Sequence, residues 1–323
     1  MQKLVEVRRR AATVRSIRSV ASTMATVASA KLSRSRERAA GTRVYAERMR
    51  ALVRRQQASA ASRGEDLSSL SPFLTPHAEV RRVLLVHIAG DRGMCGAYNS
   101  AIDRIAYRFV RDTIAAGIGI SAFAKGGKGE RFLRRRTQID IVGSQDWPRA
   151  GVTDDDVDAL FARVSDAYLS GEADEVWCTY TRFFSPIRRD PTLVRLLPLA
   201  FEAGGSGLLA KVAAPTPLES EDSPERWFYE PDLSTILTEV LGVFLRLQIE
   251  DVLLESFASE QGARMITMEE ATERADRSLQ ELTVAYNRLR RELITTDLLG
   301  VLFASALREG EERVRLAERF GVG

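Results

Sequence analysis

Two glycine-rich turns hold most of the reactive chemistry this sequence offers. Residues 90–96 read Gly-Asp-Arg-Gly-Met-Cys-Gly after the apolar run 82–89, and residues 125–129 read Lys-Gly-Gly-Lys-Gly after the apolar run 118–124. A glycine loop between a strand and a helix can cradle phosphate on its backbone N–H groups. Neither turn has the spacing for it: the dinucleotide GxGxxG pattern and the GxxxxGK[ST] phosphate loop are both missing. The expectation at each is a tight turn that needs a positive φ. Cys95 sits in the first turn, but no Cys/His spacing supports a nucleophile, so a buried small apolar role is expected. His87 falls inside an apolar run and His77 in a Pro/Ser-rich stretch, which point to core and surface placement respectively. Cys95 and Cys178 form neither a disulfide framework nor a metal cluster. The sequence therefore calls for no catalytic residue, no metal and no cofactor.

The elements that position these turns are short. Apolar runs at 82–89, 118–124, 139–142 and 174–180 alternate with helix-period stretches, the clearest being Ile102, Ile105, Ala106, Phe109, Val110 and Ile114. A basic helix is expected at 131–136 and another helix at 155–169. Strand, glycine turn and helix in succession give a Rossmann-like three-layer α/β domain over residues 81–212, bounded by linkers at 58–80 and 213–231.

The two ends are helical on a different scale. Residues 232–308 contain no Pro and only Gly242, Gly262 and Gly300. Their apolar residues (Leu233, Ile236, Leu237, Val240, Leu241, Phe244) keep a helix period that resumes at Leu279, Leu282, Tyr286 and Leu289. At ~1.5 Å per residue this helix would span roughly 115 Å, beyond what a compact domain buries. It needs another long helix or a partner, and residues 294–307 are apolar nearly all round. Residues 1–57, without Pro and with Gly41 alone, supply the helix. Ile17, Val20, Met24, Val27 and Lys31 step by three and four as an a/d seam, with Ala21, Ala25, Ala28 and Ala30 between them to allow close approach.

Charge divides the chain. Residues 1–57 carry 15 Lys/Arg and three Glu, a net of +12, so the remainder of this +3 chain carries −9. The arginines at 8–10, 34, 36 and 38 are read as facing an external acidic partner. The 323 residues, 45% of them hydrophobic, suffice for one or two cores, without an apolar run long enough to span a membrane. The basic, Ala/Ser/Arg-rich start resembles a transit peptide, but its period continues past residue 50, so mature structure is expected.

Three blocks together give a resemblance. They are Thr-Met-Ala-Thr-Val-Ala-Ser-Ala-Lys-Leu at 23–32, Asp-Arg-Gly-Met-Cys-Gly-Ala-Tyr-Asn at 91–99, and Ala-Ser-Glu-Gln-Gly-Ala-Arg-Met-Ile-Thr-Met at 258–268. Weaker echoes lie at 191–199 and 228–232. The sequence resembles the gamma subunit of F-type ATP synthases and ATPases, over nearly the whole chain and in order. The resemblance implies that the terminal helices form an antiparallel coiled coil with the α/β domain inserted between them, and that residues 309–323 are a charged tail past the family's usual end. It implies a non-catalytic rotor shaft that couples c-ring rotation, with proton or sodium transport, to ATP synthesis or hydrolysis at beta-subunit sites.

The partners implied are three alpha and three beta subunits, epsilon and the membrane c-ring, with no nucleic acid and no cofactor. Alpha/beta contacts carried over are Met24, Lys31, Glu260, Gln261, Arg264, Arg290, Arg291, Thr295 and Asp297; the foot contacts are Tyr229 and Glu230. The implied location is peripheral, on the cytoplasmic side of the bacterial inner membrane. Arg291 stands where the family usually has Gln, and Gly300 where it has an acidic residue, a divergence that fits an alternative ion-pumping ATPase operon. Two other functions suit parts of the pattern. One is a basic coiled-coil protein that binds nucleic acid, although Tyr45 is the only aromatic in the basic helix. The other is an α/β nucleotide-binding enzyme with helical oligomerisation arms.

Overall fold

The computed structural model describes residues 2–62, 71–77, 79–199 and 233–320. A long helix α1 (Gln2–Ser62) precedes β1 (Arg82–Ile88), α2 (Tyr98–Ala115), β2 (Gly119–Lys125), α3 (Gly127–Arg136) and β3 (Asp140–Gln145). Then come α4 (Asp154–Leu169), β4 (Glu175–Phe183), β5 (Arg189–Leu197) and a second long helix, α5 (Leu233–Phe320). The strands form one sheet in the order β3-β2-β1-β4-β5. β1 pairs in parallel with β2 and β4, and β2 in parallel with β3, while β5 is antiparallel to β4.

The short apolar runs became the central strands because both sheet faces are covered. Leu84, Val86 and Ile88 point to one face, onto α4 and α5 (Val157, Leu160, Phe244, Phe257). Leu85, between them, points to the other, onto Ala106 and Val110 of α2 and Leu133 of α3. α4 starts at a capping box in which Thr153 and Asp156 satisfy each other's backbone N–H. β5 has no counterpart among the apolar runs seen in the sequence. It carries Pro191, tolerated because β5 is an edge strand.

The chain divides into two compact units, residues 1–24 with 268–323, and residues 25–267. In the larger unit, Ser35 Oγ donates to the Leu254 carbonyl (3.0 Å) and Arg38 Nε to Glu250 (2.7 Å), so α1 and α5 run in opposite directions there. In the smaller unit Arg18 pairs with Asp276.

The seam of α1 corrects the sequence reading. Ala21, Ala25, Ala28, Leu32, Ser35, Ala39 and Thr42 are buried, at spacings of four and three. Ile17, Val20 and Val27 are 55%, 56% and 48% exposed. Mostly small side chains, with Leu32 among them, line the packed face because they let two backbones approach; Ile17, Val20 and Val27 face outward, and Met24 and Lys31 are half-buried. Two arginine assignments also change. Arg10 pairs with Glu6 one turn away (2.6 Å), and Arg38 is met by Glu250 and Asp154 within the chain. α1 extends past residue 57 and α5 past 308, so residues 309–320 are helical. The linker at 213–231 lies outside the described residues.

Candidate functional site

The first glycine turn is tied to its neighbours before it reaches α5. The Gly90 N–H donates to Asn99 Oδ1 (2.8 Å), and Asn99 Nδ2 donates to the Arg92 carbonyl (3.3 Å). Positive φ occurs at Gly96 (54°) and also at Met94 (62°), a non-glycine residue. Asp91 joins three loops: its Oδ1 accepts from the Gly127 N–H (2.6 Å) after β2, and its Oδ2 from the Trp147 N–H (3.2 Å) after β3. In the second turn, Gly126 has φ 106°, and a Cβ there would lie 1.9 Å from the Ala89 carbonyl oxygen, so only glycine fits.

Against this carboxyl edge of the sheet lies α5. Every residue from 247 to 264 is buried. Ser256 Oγ accepts from the Thr181 N–H (3.2 Å), Ser259 Oγ donates to the Thr181 carbonyl (3.0 Å), and Tyr98 donates to the Ser256 carbonyl (3.2 Å). Glu260 is the centre of the contact. Its Oε2 accepts from the Trp147 indole (2.6 Å) and Gln261 (3.3 Å), and its Oε1 pairs with Arg264 (2.6 Å). A Cβ on Gly90 would come within 2.9 Å of Glu260 Oε1, so a side chain there would have to displace the Glu260 carboxylate. Cys95 and Tyr98 pack on Ala263. Burial pushes the Cys95 thiol and the Tyr98 phenol above their ordinary pKa values, so neither is primed as a nucleophile.

The position of this clasp decides what the domain can do. In an open α/β sheet, ligands sit outside the carboxyl ends of the strands, where the strand order reverses. Here β1 is flanked by β2 on one side and β4 on the other, and the buried turn of α5 occupies that crevice. Where an enzyme of this fold would hold substrate, the chain holds its own helix.

The residues carried over from the resemblance fall into three groups. Glu260, Gln261 and Arg264 are buried together in the clasp. Met24 and Lys31 are half-buried on α1, with Lys31 donating to the Arg149 carbonyl (2.6 Å). Arg290, Arg291, Thr295 and Asp297 are exposed on α5. Leu298, Val301, Leu302 and Phe303, in the segment expected to be apolar all round, are exposed too, Phe303 at 68%. Tyr229 and Glu230 lie outside the described residues.

His87 is fully buried between Thr179 (2.8 Å) and Asp103 (3.0 Å), a core role, and His77 is exposed beside Tyr168. Sequence reasoning missed Trp147, Thr181, Ser256 and Ser259. Of these only Ser259 falls in one of the blocks at 91–99 and 258–268, and nothing in the spacing of those blocks says that they touch. Among the described residues no group of three or more His, Cys, Asp or Glu could hold a metal ion.

Comparisons with known proteins agree with this architecture. A family profile described as ATP synthase matches residues 3–306. The ATP synthase gamma chain of Geobacter metallireducens is 32% identical over 307 residues, covering 94% of this chain and 97% of the relative. That of Chlorobaculum tepidum is 31% identical over 313 residues, covering 96% and 100%. Among solved structures, the central stalk/c-ring of the Tetrahymena thermophila mitochondrial ATP synthase matches with a TM-score of 0.56 at 23% identity. That match covers 78% of this chain and 99% of the other.

Proposed function

The chain belongs to the ATP synthase gamma-chain family, and we propose that it is the central rotor shaft of an F-type ATP synthase or ATPase. The observation that carries this is collinearity: one match runs through the first helix, the α/β domain and the last helix, residues 3–306. In this role the c-ring turns the α/β domain and the clasp passes torque to α5. Unequal faces of the helices then bias each beta subunit toward a different nucleotide affinity. Proton or sodium transport is thereby coupled to ATP synthesis or hydrolysis. The nucleotide chemistry is assigned to beta, and this chain is the non-catalytic part.

Three alpha and three beta subunits are assigned to surround α5, with Met24, Lys31, Arg290, Arg291, Thr295 and Asp297 toward them. The exposed apolar surface at 294–303 suits a bearing supplied by that ring. Glu260, Gln261 and Arg264 act on the ring through the clasp that holds them. Epsilon and the c-ring are assigned to the foot, at Tyr229 and Glu230. No described helix is long and apolar enough to cross a membrane, and the proposed place is peripheral, at the cytoplasmic side of the bacterial inner membrane.

The test is co-purification of the tagged chain at moderate salt, with the eluate assayed for ATP hydrolysis. Recovery of alpha and beta with activity, lost when residues 294–323 are removed, is the expected result. Recovery of nucleic acid, or of the chain alone with tightly bound nucleotide, would overturn it.

A further inference from the structure

α2 and α3 cover the sheet face opposite to α4 and α5. Between them runs a groove of two adjoining hollows, ≈ 480 Å³ and ≈ 690 Å³, that share Phe132, Arg135 and Arg136. α2 contributes Arg104, Arg108 and Arg111, spaced by four and three on one helix face. α3 contributes Lys128, Arg131 and Arg135, spaced by three and four. Lys128 is half-buried and the five arginines are exposed. Among the described residues, Arg111 alone of these six has an ion-pair partner, its exposed neighbour Asp112. The one acid that lines the groove, Asp103, is already engaged by His87. With Arg136, which lines both hollows, seven like charges in a concave place repel one another, so the fold gains nothing from gathering them. The same groove exposes apolar surface at Met94 (62%) and Tyr107 (44%), with Phe132 half-buried between the arginine rows. Met94 is also the residue held at φ 62°, an uncommon backbone conformation of the kind that gathers at functional surfaces.

We propose that this groove docks an acidic amphipathic helix of another polypeptide. Carboxylates at helical spacing would meet the two arginine rows, while apolar residues on the inner edge cover Met94, Tyr107 and Phe132. Each row spans two helical turns, about 10 Å, more than one phosphate group needs. A bilayer surface would not follow a concave groove. Tyr107 is the one exposed aromatic ring lining it, short of the series of stacking platforms that single-stranded nucleic acid uses. The proposal goes beyond the rotor role and stands on the groove alone.

The test uses the full chain and a fluorescein-labelled synthetic helix with Glu along two edges and Leu between them, at about 0.15 M salt. The triple variant Arg104→Glu, Arg108→Glu, Arg135→Glu should weaken binding at least about tenfold, and Arg8→Glu, Arg9→Glu, Arg10→Glu on α1 less than about threefold. The neutral triple, with Gln at 104, 108 and 135, should fall between, and circular dichroism of each variant verifies its folding. Equal loss from the groove and α1 triples would overturn the proposal, as would equal binding of a scrambled peptide of the same composition. So would preferential groove-dependent binding of single-stranded DNA, phosphatidylglycerol vesicles or inorganic tripolyphosphate.

Discussion

Glu260 ties α5 to the loop after β3 from a fully buried position. Its carboxylate accepts from Trp147 and pairs with Arg264, and all three groups are buried. Glu260→Ala would leave Arg264 without its counter-ion and the indole without its acceptor, and should cost about 3–5 kcal/mol in urea unfolding. A loss below about 1 kcal/mol would mean that water or a shifted partner replaces it. A second residue, Asp156, contributes to stability against acid. Burial of Asp156 works against its charge, but donation from Lys125 (2.8 Å) and from the Thr153 backbone and hydroxyl outweighs it and holds its pKa below the ordinary value. A carboxylate depressed in the folded state stabilises above its unfolded pKa of about 3.9 and loses that contribution as pH falls through the folded value. Asp156→Asn should therefore lower the unfolding midpoint at pH 7, with the difference from the parent chain shrinking below about pH 4. A constant difference across that range would refute the linkage.

At the scale of elements, α1 separates size from burial. Ala28 lies 1% exposed in the packed seam, so Ala28→Leu should destabilise by about 1–3 kcal/mol through overpacking. Val27, its neighbour on the outer face, should tolerate Ser within about 0.5 kcal/mol in the isolated chain. Thermal unfolding of both variants checks the pair, and the reverse order would restore the bulky stripe as the seam. This contrast marks where the sequence stops being legible. Helix period identified α1 and α5, and the alternation of apolar runs with amphipathic helices identified β1, β2, β3, α4 and β4. The period alone does not say which stripe of a helix is buried, and large apolar residues were the wrong guide because the contact demanded small ones. β5 escaped because edge pairing with β4 overrides the poor strand propensity around Pro191. The clasp escaped because Gly90, Trp147 and Glu260 meet only in three dimensions.

At the scale of the whole molecule, the described residues leave the apolar segment of α5 uncovered. Residues 294–306 are exposed throughout, so their amides should exchange within seconds in the free subunit and become protected in the assembled complex. Strong protection in the free monomer would place the burial of that segment inside the chain. The larger unit raises a different matter, the order of synthesis. One face of its sheet (Leu84, Val86, Ile88) is completed by Phe244, Leu253 and Phe257 of α5, and its crevice by residues 256–264. Sixty-seven residues separate the end of β5 at Leu197 from Arg264. At ~5–20 residues per second, the ribosome needs roughly 3–13 s to make them after the last strand. During that interval every strand exists while the helix that fills the sheet's crevice does not. The nascent chain thus presents an apolar face covered only in part, by α4, which is the form in which chaperones or premature partners would meet this protein first.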